Sequence, residues 1–565
     1  MKKRKALLLM ITALFLLTTV LAGCTKSASS PEKEQNSSTP NSSNTDKKPE
    51  DEKPADIWEF GSSELNLTAF THYSWQDFPE KMEDAPLWKY LKENKKVNIT
   101  SILASGNNDQ LVATMMADNK LPDLMYGDRN HRDFLKLIKA GKLVALDDYM
   151  EKYPNLKKWL SSEAADLLRS PDGKLYQFPN YYTKTPNGSA GYVVNKKIYK
   201  ELGSPPLETM DDLYDYLVKV KEKYGDEVVP FDPERALDAQ GVGMLYTGFQ
   251  ENAYYRSLNS NTLAVIDYDN NKLASLFTDP TFRESQKFVS KLYREKLINQ
   301  DMFTTTRELV HERVMNGKVA IFAGASPMAV SSRADANLSK EDPDAGYFVT
   351  WPIHKAGLDK NKIFPGSYDQ LGWNVSVITT AAKEPEKIFA FLDWMTGPEG
   401  MTTTYYGPEG LYWEGLDEND QPIFTDAYDA IKVSEFESAN DRVIIAANAG
   451  YIDPVKKKYE SDKPFEKKGW STRYQESVTW KTHNDHTALG TNLTPDAGTE
   501  LADISVNIID VYQQALSASG TAKSDEDVDR ILDKAEADAV ALGYNELLEW
   551  RTEQWLKNKE LLGIE

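Results

Sequence analysis

The chain has 565 residues, of which 40% are hydrophobic and 27% are charged. This balance is typical of a soluble globular protein with several domains, so it excludes a minimal binding module and a polytopic membrane protein. The formal net charge is −21. Because such a surface repels phosphate groups and anionic lipid headgroups, nucleic acid is not an expected partner.

The N-terminal segment has the composition of an export signal. Residues 1–5 are basic, residues 6–21 are almost wholly apolar, and small residues lead to the single cysteine, Cys24. One cysteine excludes an intramolecular disulfide framework and every Cys-based metal cluster. The alternative is a permanent anchor helix, since the apolar run approaches the length that spans a bilayer.

The tetrapeptide Leu-Ala-Gly-Cys at the end of this run resembles the bacterial lipobox. The resemblance implies cleavage after residue 23, lipidation of Cys24 and a protein tethered at the extracellular face of the membrane through its acyl chains alone. Residues 24–56 are mostly Ser, Thr, Pro, Asn, Lys and Glu, which predicts a disordered tether before a globular part that begins at residue 57.

Strands and helices alternate in the first part of the globular region. The hydrophobic pattern predicts strands at residues 65–70, 97–103 and 122–126 and helices at residues 85–94 and 110–118. Such alternation predicts an α/β fold with a parallel sheet covered by helices. In that architecture ligands bind beyond the carboxyl ends of strands, here at residues 105–108 and 127–130.

A second α/β stretch extends from residue 191 to about residue 353. Helices are predicted at residues 210–224 and 282–296, and strands at residues 319–322 and 348–351. A helix opens at Glu384-Pro385 and closes at Gly397-Pro398, and residues 501–562 have a mostly helical pattern.

Five segments carry a more specific resemblance. They are MMADNKLPDL at 115–124, IKAGKLVAL at 138–146, DGKLYQFP at 172–179, YVVNK at 192–196 and MNGKVA at 315–320. In their order and spacing the chain resembles the extracellular solute-binding lipoproteins of bacterial ABC importers, family 1, in the large Gram-positive branch that serves oligosaccharide uptake.

The resemblance implies a class II periplasmic-binding-protein-like fold of two discontinuous lobes joined by hinge crossings. The lobes are expected at residues 57–180 with a return segment at 366–470, and at residues 181–365, with C-terminal helices at 471–565 shared between them. It also implies an oligosaccharide ligand, ABC permease subunits as partners, a monomeric state and no catalysis or cofactor. Members of this branch often carry a calcium loop after the helix at residues 210–224, but residues 224–230 lack its ligand spacing, so no metal is expected.

Aromatic side chains are the first candidates for a sugar site. The chain has 12 Trp and 29 Tyr, and their flat apolar faces with polar edges suit pyranose rings. Those in loops or at strand ends are Trp75, Tyr126, Tyr181, Tyr182, Trp351, Tyr368, Trp373, Tyr406 and Trp413. The alternative for each of them is packing in the core.

Polar candidates follow predicted strands. Asp128 and Arg129 match, by position in their motif, the cleft residues of sugar-binding relatives, and both can form paired hydrogen bonds with vicinal hydroxyls. The alternative is a solvated surface pair. Asp369 lies in a polar loop before residues 375–378, and Asn107 is either a cleft ligand or part of a turn.

Metal and enzyme motifs are incomplete. Residues 267–271 copy the opening of a calcium loop, but Lys272 and Thr278 replace its Gly and Glu, which favours a hairpin turn. His483 and His486 are interpreted as parts of a polar surface turn. A lipid-anchored carbohydrate-active enzyme and a peptide receptor remain alternatives, and the net charge favours a neutral glycan.

Overall fold

The structure, a computed structural model, describes residues 57–73, 76–104, 106–234, 236, 239–440 and 443–564. The strands are β1 Leu65–Thr71, β2 Val97–Ile102, β3 Leu124–Asp128, β4 Phe178–Asn180, β5 Gly191–Asn195, β6 Val229–Pro233, β7 Ala264–Asp267, β8 Lys272–Ser275, β9 Val319–Gly324, β10 Tyr347–Thr350, β11 Gly366–Tyr368, β12 Asn374–Ile378, β13 Trp413–Leu416, β14 Pro422–Phe424 and β15 His483–Asp485.

The helices follow the same chain order. They are α1 Pro86–Lys95, α2 Asn108–Ala117, α3 Arg132–Lys139, α4 Asp147–Met150, α5 Pro154–Trp159, α6 Ser162–Leu167, α7 Lys196–Glu201, α8 Met210–Tyr224, α9 Gln240–Thr247, α10 Pro280–Arg294, α11 Arg307–Met315, α12 Met328–Glu341, α13 Pro385–Thr396, α14 Pro398–Tyr406, α15 Ala430–Asn440, α16 Ala449–Glu460, α17 Trp470–Ser477, α18 Thr487–Gly490, α19 Glu500–Gly520, α20 Asp525–Ala541 and α21 Tyr544–Leu561. In the described part of the chain, no helix combines the length and apolar composition needed to cross a membrane.

The first sheet has the strand order β2-β1-β3-β12-β4. β1 runs parallel to β2 and to β3, as the alternation of strands and helices predicts. β12 runs antiparallel to β3 and to β4, so the complete sheet is mixed. The reason is the direction of the returning chain: Asn374 pairs with Asp128, so β12 begins at the edge where β3 ends.

The second sheet has the strand order β10-β5-β9-β6. β5 is antiparallel to β10 and β9, whereas β6 is parallel to β9. Each sheet contributes to its own buried apolar cluster. The chain passes from β4 to β5 through residues 181–190 and from β10 to β12 through residues 351–373, which we call the two crossings. The fold is therefore an α/β fold of two lobes.

Local signals explain where the helices of the second lobe begin. Thr209 caps α8 in a capping box with Asp212, and the helix has the predicted bounds. The carboxylate of Asp279 accepts a hydrogen bond from the amide of Phe282 at 2.8 Å. With Pro280 in the first turn, α10 begins two residues before the prediction.

The C-terminal helices α19, α20 and α21 pack on the core of the second lobe. They contribute Ile508, Leu532 and Trp555, respectively, to that core. The fully buried Arg551 of α21 donates to the Thr262 carbonyl oxygen at 2.6 Å. Burial lowers the pKa of Arg551 to about 10, so the guanidinium stays charged at neutral pH. Its hydrogen bond holds the loop that follows residue 258 in place.

Two interpretations of local sequence have different outcomes. β7 and β8 form an antiparallel hairpin in which Asp267 pairs with Lys272, so the predicted hairpin turn is confirmed. The predicted surface turn at His483 and His486 is wrong, because these side chains are 5% and 3% exposed. The reason is that β15 pairs with β11 and places both imidazoles beneath a crossing.

The buried carboxylate of Asp393 gives a prediction about stability and pH. It accepts hydrogen bonds from the amides of Leu156 at 2.8 Å and Asn155 at 3.2 Å. Burial nevertheless raises the pKa of Asp393 to about 6. Unfolded aspartate has a pKa of about 4, so the stabilisation from protonation is complete below about pH 4 and is lost as the pH rises through about 6.

We expect the stability of the wild type relative to Asp393→Asn to fall by about 3 kcal/mol at most between pH 4 and pH 7. Calorimetric Tm values of the two proteins across this range measure the change, and Asp462→Asn at an exposed position is the control. A Tm difference that stays constant with pH for Asp393→Asn would contradict the assignment.

Candidate functional site

A cavity of about 560 Å³ lies between the two lobes, at the crossings. The first lobe contributes Gln76, Asp128, Arg129 and Asn130, and the crossings contribute Tyr181, Asn187, Gly188, Ser189, Ser367, Tyr368, Asp369, Gly372 and Trp373. The second lobe contributes Gln240, Tyr255, Arg256, Asn259, Asn261, Thr262, Arg307, Ala325 and Ser326, and the C-terminal region Gln475, His486 and Gly490.

The structure brings six of the expected site residues together in this cavity. They are Asp128, Arg129, Tyr181, Tyr368, Asp369 and Trp373. They come from the end of β3 and from both crossings, so the edge of the first sheet that the strand-end rule selects is the edge that lines the cavity. Trp75 and Cys24 lie outside the described residues.

Four expected aromatic residues belong to the core instead. Tyr126, Tyr182, Tyr406 and Trp413 are at most 2% exposed and do not line the cavity. The hydroxyl of Tyr126 accepts a hydrogen bond from Asn180 at 3.1 Å, deep inside the first sheet. Tyr406 and Trp413 belong to an aromatic cluster of the first lobe, where the Trp413 indole donates to the Gly407 carbonyl oxygen at 2.8 Å.

Two further expected residues lie at the surface, away from the cavity. Asn107 caps α2 by accepting a hydrogen bond from the amide of Gln110. It therefore forms part of a turn, the alternative to a role as a cleft ligand. The indole of Trp351 donates to the carbonyl oxygen of Lys360 at 3.0 Å and packs against the second lobe.

A buried ion pair fixes the wall of the cavity on the first lobe. Arg129 and Asp369 are joined at 2.5 Å, and their side chains are 5% and 4% exposed. The guanidinium also donates to the carbonyl oxygen of Gly372 at 2.7 Å and to the hydroxyl of Thr491 at 3.3 Å. Burial raises the pKa of Asp369, and the charge of Arg129 opposes that shift. Arg129 and Asp369 were each expected to bind sugar, but here their charged groups bind each other and the protein's own loop.

A close backbone contact brings the two crossings together. Gly372 has a φ of +67°, and a Cβ at this position would lie 1.7 Å from the carbonyl oxygen of Asn180. Tyr181, the first residue after β4, has a φ of +61°, which is rare for a residue with a side chain. These two positions set the directions in which Tyr181 and Trp373 enter the cavity.

Aromatic faces line one side of the cavity. The rings of Tyr181 and Trp373 are nearly parallel, with 18° between their planes and 6.5 Å between their centroids. The ring centroid of Tyr73 lies 5.5 Å from that of Trp373. The indole of Trp373 is 37% exposed, so an apolar surface is available to a ligand.

The second lobe contributes polar and cationic groups. Arg256 follows Tyr255 in a short turn, and its buried Nε has no hydrogen-bond partner among the described residues. Arg307, at the start of α11, donates to the buried carboxylate of Glu234 at 2.8 Å. Burial acts to raise the pKa of Glu234, but the hydrogen bond from His311 and the charge of Arg307 outweigh it, so this pKa is lowered.

Sequence reasoning missed most of the second-lobe wall. This wall combines Gln240 of α9, the segment with Arg256, Asn259 and Asn261, and Arg307 of α11, and no short motif links these three parts of the chain. The loop after residue 258 contains Asn259 and Asn261 beside Ser and Thr, which is the composition of an ordinary turn, so the sequence carries no signal for a site there.

Comparison with known proteins gives a consistent picture. The family described as bacterial extracellular solute-binding protein matches residues 74–402. Lipoprotein LipO of Bacillus subtilis (strain 168) is 25% identical over 60% of this chain and 66% of its own length, slightly under two thirds. The melibiose/raffinose/stachyose-binding protein MelE of the same organism is 24% identical over 57% of this chain and 68% of its own.

A solved structure supports the fold. The alginate-binding protein AlgQ2, crystallised without calcium ion, superposes with a TM-score of 0.65 and 19% sequence identity over 88% of this chain and 100% of its own. At this identity the likeness concerns the fold, and the two-lobed α/β architecture is shared.

The buried pair predicts a coupled effect on stability. Arg129→Met leaves Asp369 as an uncompensated buried charge, so we expect a loss of about 3–5 kcal/mol of unfolding free energy. Adding Asp369→Asn removes that charge, and the double variant should lose less than the sum of the single losses. Denaturant unfolding measures all three, with Lys200→Met at an exposed ion pair as the control. Strictly additive losses would contradict a coupled pair.

The contact between the crossings predicts a second effect. Gly372→Ala places a Cβ against the Asn180 carbonyl oxygen and should lower Tm and alter the fluorescence of Trp373. Gly357 also has a positive φ, +91°, but a Cβ there would meet nothing within 4 Å. Gly357→Ala therefore measures the backbone strain of about 1–2 kcal/mol alone. Equal Tm losses in the two variants would refute the close contact.

Proposed function

Because the chain belongs to the bacterial extracellular solute-binding proteins, we propose that it captures an oligosaccharide in the cavity between its lobes and delivers it to an ABC permease. The observation that carries this proposal is the composition of the cavity, which Trp373 lines together with polar groups of the second lobe. An aromatic face with surrounding hydrogen-bonding groups matches a sugar ring and its hydroxyls.

The charges around the cavity favour a neutral glycan. Arg129 is neutralised by Asp369, and Arg307 is neutralised by Glu234. The remaining charged groups, Arg256 and Asp128, have opposite signs. A uronic oligomer needs several uncompensated cations, whereas a neutral sugar requires mostly donors and acceptors such as the amides of Asn259 and Asn261.

Transport requires a ligand to change the relative positions of the lobes. We take residues 57–180 and 366–470 as one lobe, residues 181–365 as the other, and residues 471–565 as helices shared between them. A ligand that contacts both lobes favours a closed arrangement, since only that arrangement offers all of its contacts. The protein is proposed to act as a monomer tethered through Cys24 outside the cell, and the name of the matched relative lipoprotein LipO supports the lipid tether.

Binding without catalysis distinguishes this proposal from a carbohydrate-active enzyme and from a peptide receptor. Calorimetry against raffinose-type oligosaccharides, alginate oligomers and short peptides identifies the ligand class, and chromatography after long incubation reports any cleavage. We expect binding of a neutral oligosaccharide that is independent of ionic strength, with no new products. Sugar turnover, or binding of peptides alone, would remove the proposal.

The indole of Trp373 gives the sharpest test of the proposed site. Trp373→Ala removes an aromatic contact of about 0.5–1.5 kcal/mol, so we expect the Kd for the oligosaccharide to rise about two- to tenfold. Trp351→Ala is the matched control, because its indole is partly exposed and lies outside the cavity. Calorimetric Kd values decide: an unchanged Kd for Trp373→Ala, or an equal loss in both variants, would place the ligand elsewhere.

A further inference from the structure

Two histidines and an aspartate meet beside the cavity. His72 follows β1, Asp109 lies in the first turn of α2, and His131 precedes α3. The three residues, which we call the His–Asp–His cluster, therefore join three loops at one edge of the first sheet. Asp128 and Arg129 lie at the same edge and line the cavity, whereas none of the three cluster residues does.

The geometry of the cluster is that of a ligand set for a small metal ion. The Nε2 atoms of His72 and His131 lie 3.2 and 3.7 Å from the same Asp109 oxygen, and all three ligand atoms lie within 4.8 Å of one another. In a tetrahedral zinc site with bonds of about 2.0–2.1 Å, neighbouring ligand atoms are about 3.3 Å apart. The two distances from histidine nitrogen to the Asp109 oxygen are close to these edges.

Hydrogen bonding alone does not account for this arrangement. The distance of 3.7 Å between His131 and Asp109 is too long for a hydrogen bond. The buried Nδ1 of His72 has no hydrogen-bond partner in the described part of the chain. The two imidazole rings nevertheless lie against each other, with their centroids 3.5 Å apart.

The surroundings hold the two rings in place. Gly127 leaves room for His72, since a Cβ at that glycine would lie 2.8 Å from the His72 Cβ. The Asp133 carboxylate lies 3.8 Å from the Nδ1 of His131, so with zinc on Nε2 the proton on Nδ1 lies beside that carboxylate. A carboxylate beside the second ring nitrogen is a common feature of metal-binding histidines.

From this geometry we propose that His72, Asp109 and His131 bind one Zn²⁺ ion, with a fourth position open to solvent or to a small ligand. Two imidazole nitrogens and one carboxylate oxygen suit zinc, whereas calcium and magnesium prefer oxygen ligands alone. The side chains of Asp109 and His131 are 55% and 18% exposed, so an ion can reach the site from solvent. The site does not depend on the identity of the transported ligand.

Calorimetric titration of ZnCl₂ into the full-length, chelator-treated protein without a histidine tag tests the proposal. We expect one ion bound per chain and a Kd at least tenfold higher in Asp109→Asn and in His131→Gln. Asp118→Asn, at the other end of the same helix and also exposed, should bind zinc as the wild type does. Titrations with CaCl₂ and MgCl₂ should give no binding that depends on Asp109.

Misfolding of Asp109→Asn is excluded by its Tm without metal. Because the Asp109 side chain is exposed, this Tm should equal that of the wild type. Visible absorption of added Co²⁺ provides a second readout, since bands of a tetrahedral site should appear in the wild type and be lost in Asp109→Asn. Failure to bind zinc, or zinc binding that neither Asp109→Asn nor His131→Gln weakens, would overturn the proposal. Oligosaccharide affinity of Asp109→Asn, measured without zinc, is expected to be unchanged.

Discussion

The buried ion pair between Arg129 and Asp369 is the constraint on which the cavity depends. One partner comes from the end of β3 and the other from the second crossing, 240 residues later in the chain. A buried charge is tolerated only with a partner and further hydrogen bonds, and the carbonyl oxygen of Gly372 supplies one of these. The pair therefore sets the position of the loop that carries Trp373, and with it the aromatic side of the cavity.

The two walls of the cavity have different chemistry because they come from different lobes. On the first lobe and the crossings, Tyr181 and Trp373 provide apolar faces whose directions are set by backbone contacts. On the second lobe, Arg256 and the amides of the following loop provide donors, and Arg551 anchors that loop from beneath. Neither wall encloses a ligand alone, so a ligand that satisfies both couples binding to the relative position of the lobes.

The sequence predicted the elements of the first sheet and the loop around Asp369, because periodicity identifies strands and ligands bind at their carboxyl ends. It did not distinguish Trp373, which lines the cavity, from Tyr126, which lies in the core. An aromatic residue at a strand end is equally suited to either place. Arg256 and Arg307 were missed because a site between two lobes gathers residues from elements that are distant in sequence. The buried imidazole of His486 was missed because pairing of β15 with β11 is a tertiary contact that no local pattern encodes.

A crystal structure of the protein with a bound oligosaccharide tests the central claim most directly. The account predicts a sugar ring lying on the indole of Trp373, at a carbon–carbon distance of about 4 Å, while hydroxyls of the same molecule bind the Arg256 side of the second lobe. The Arg129–Asp369 pair should remain intact beneath the ligand. A ligand held by one lobe alone, or bound outside this cavity, would contradict the account.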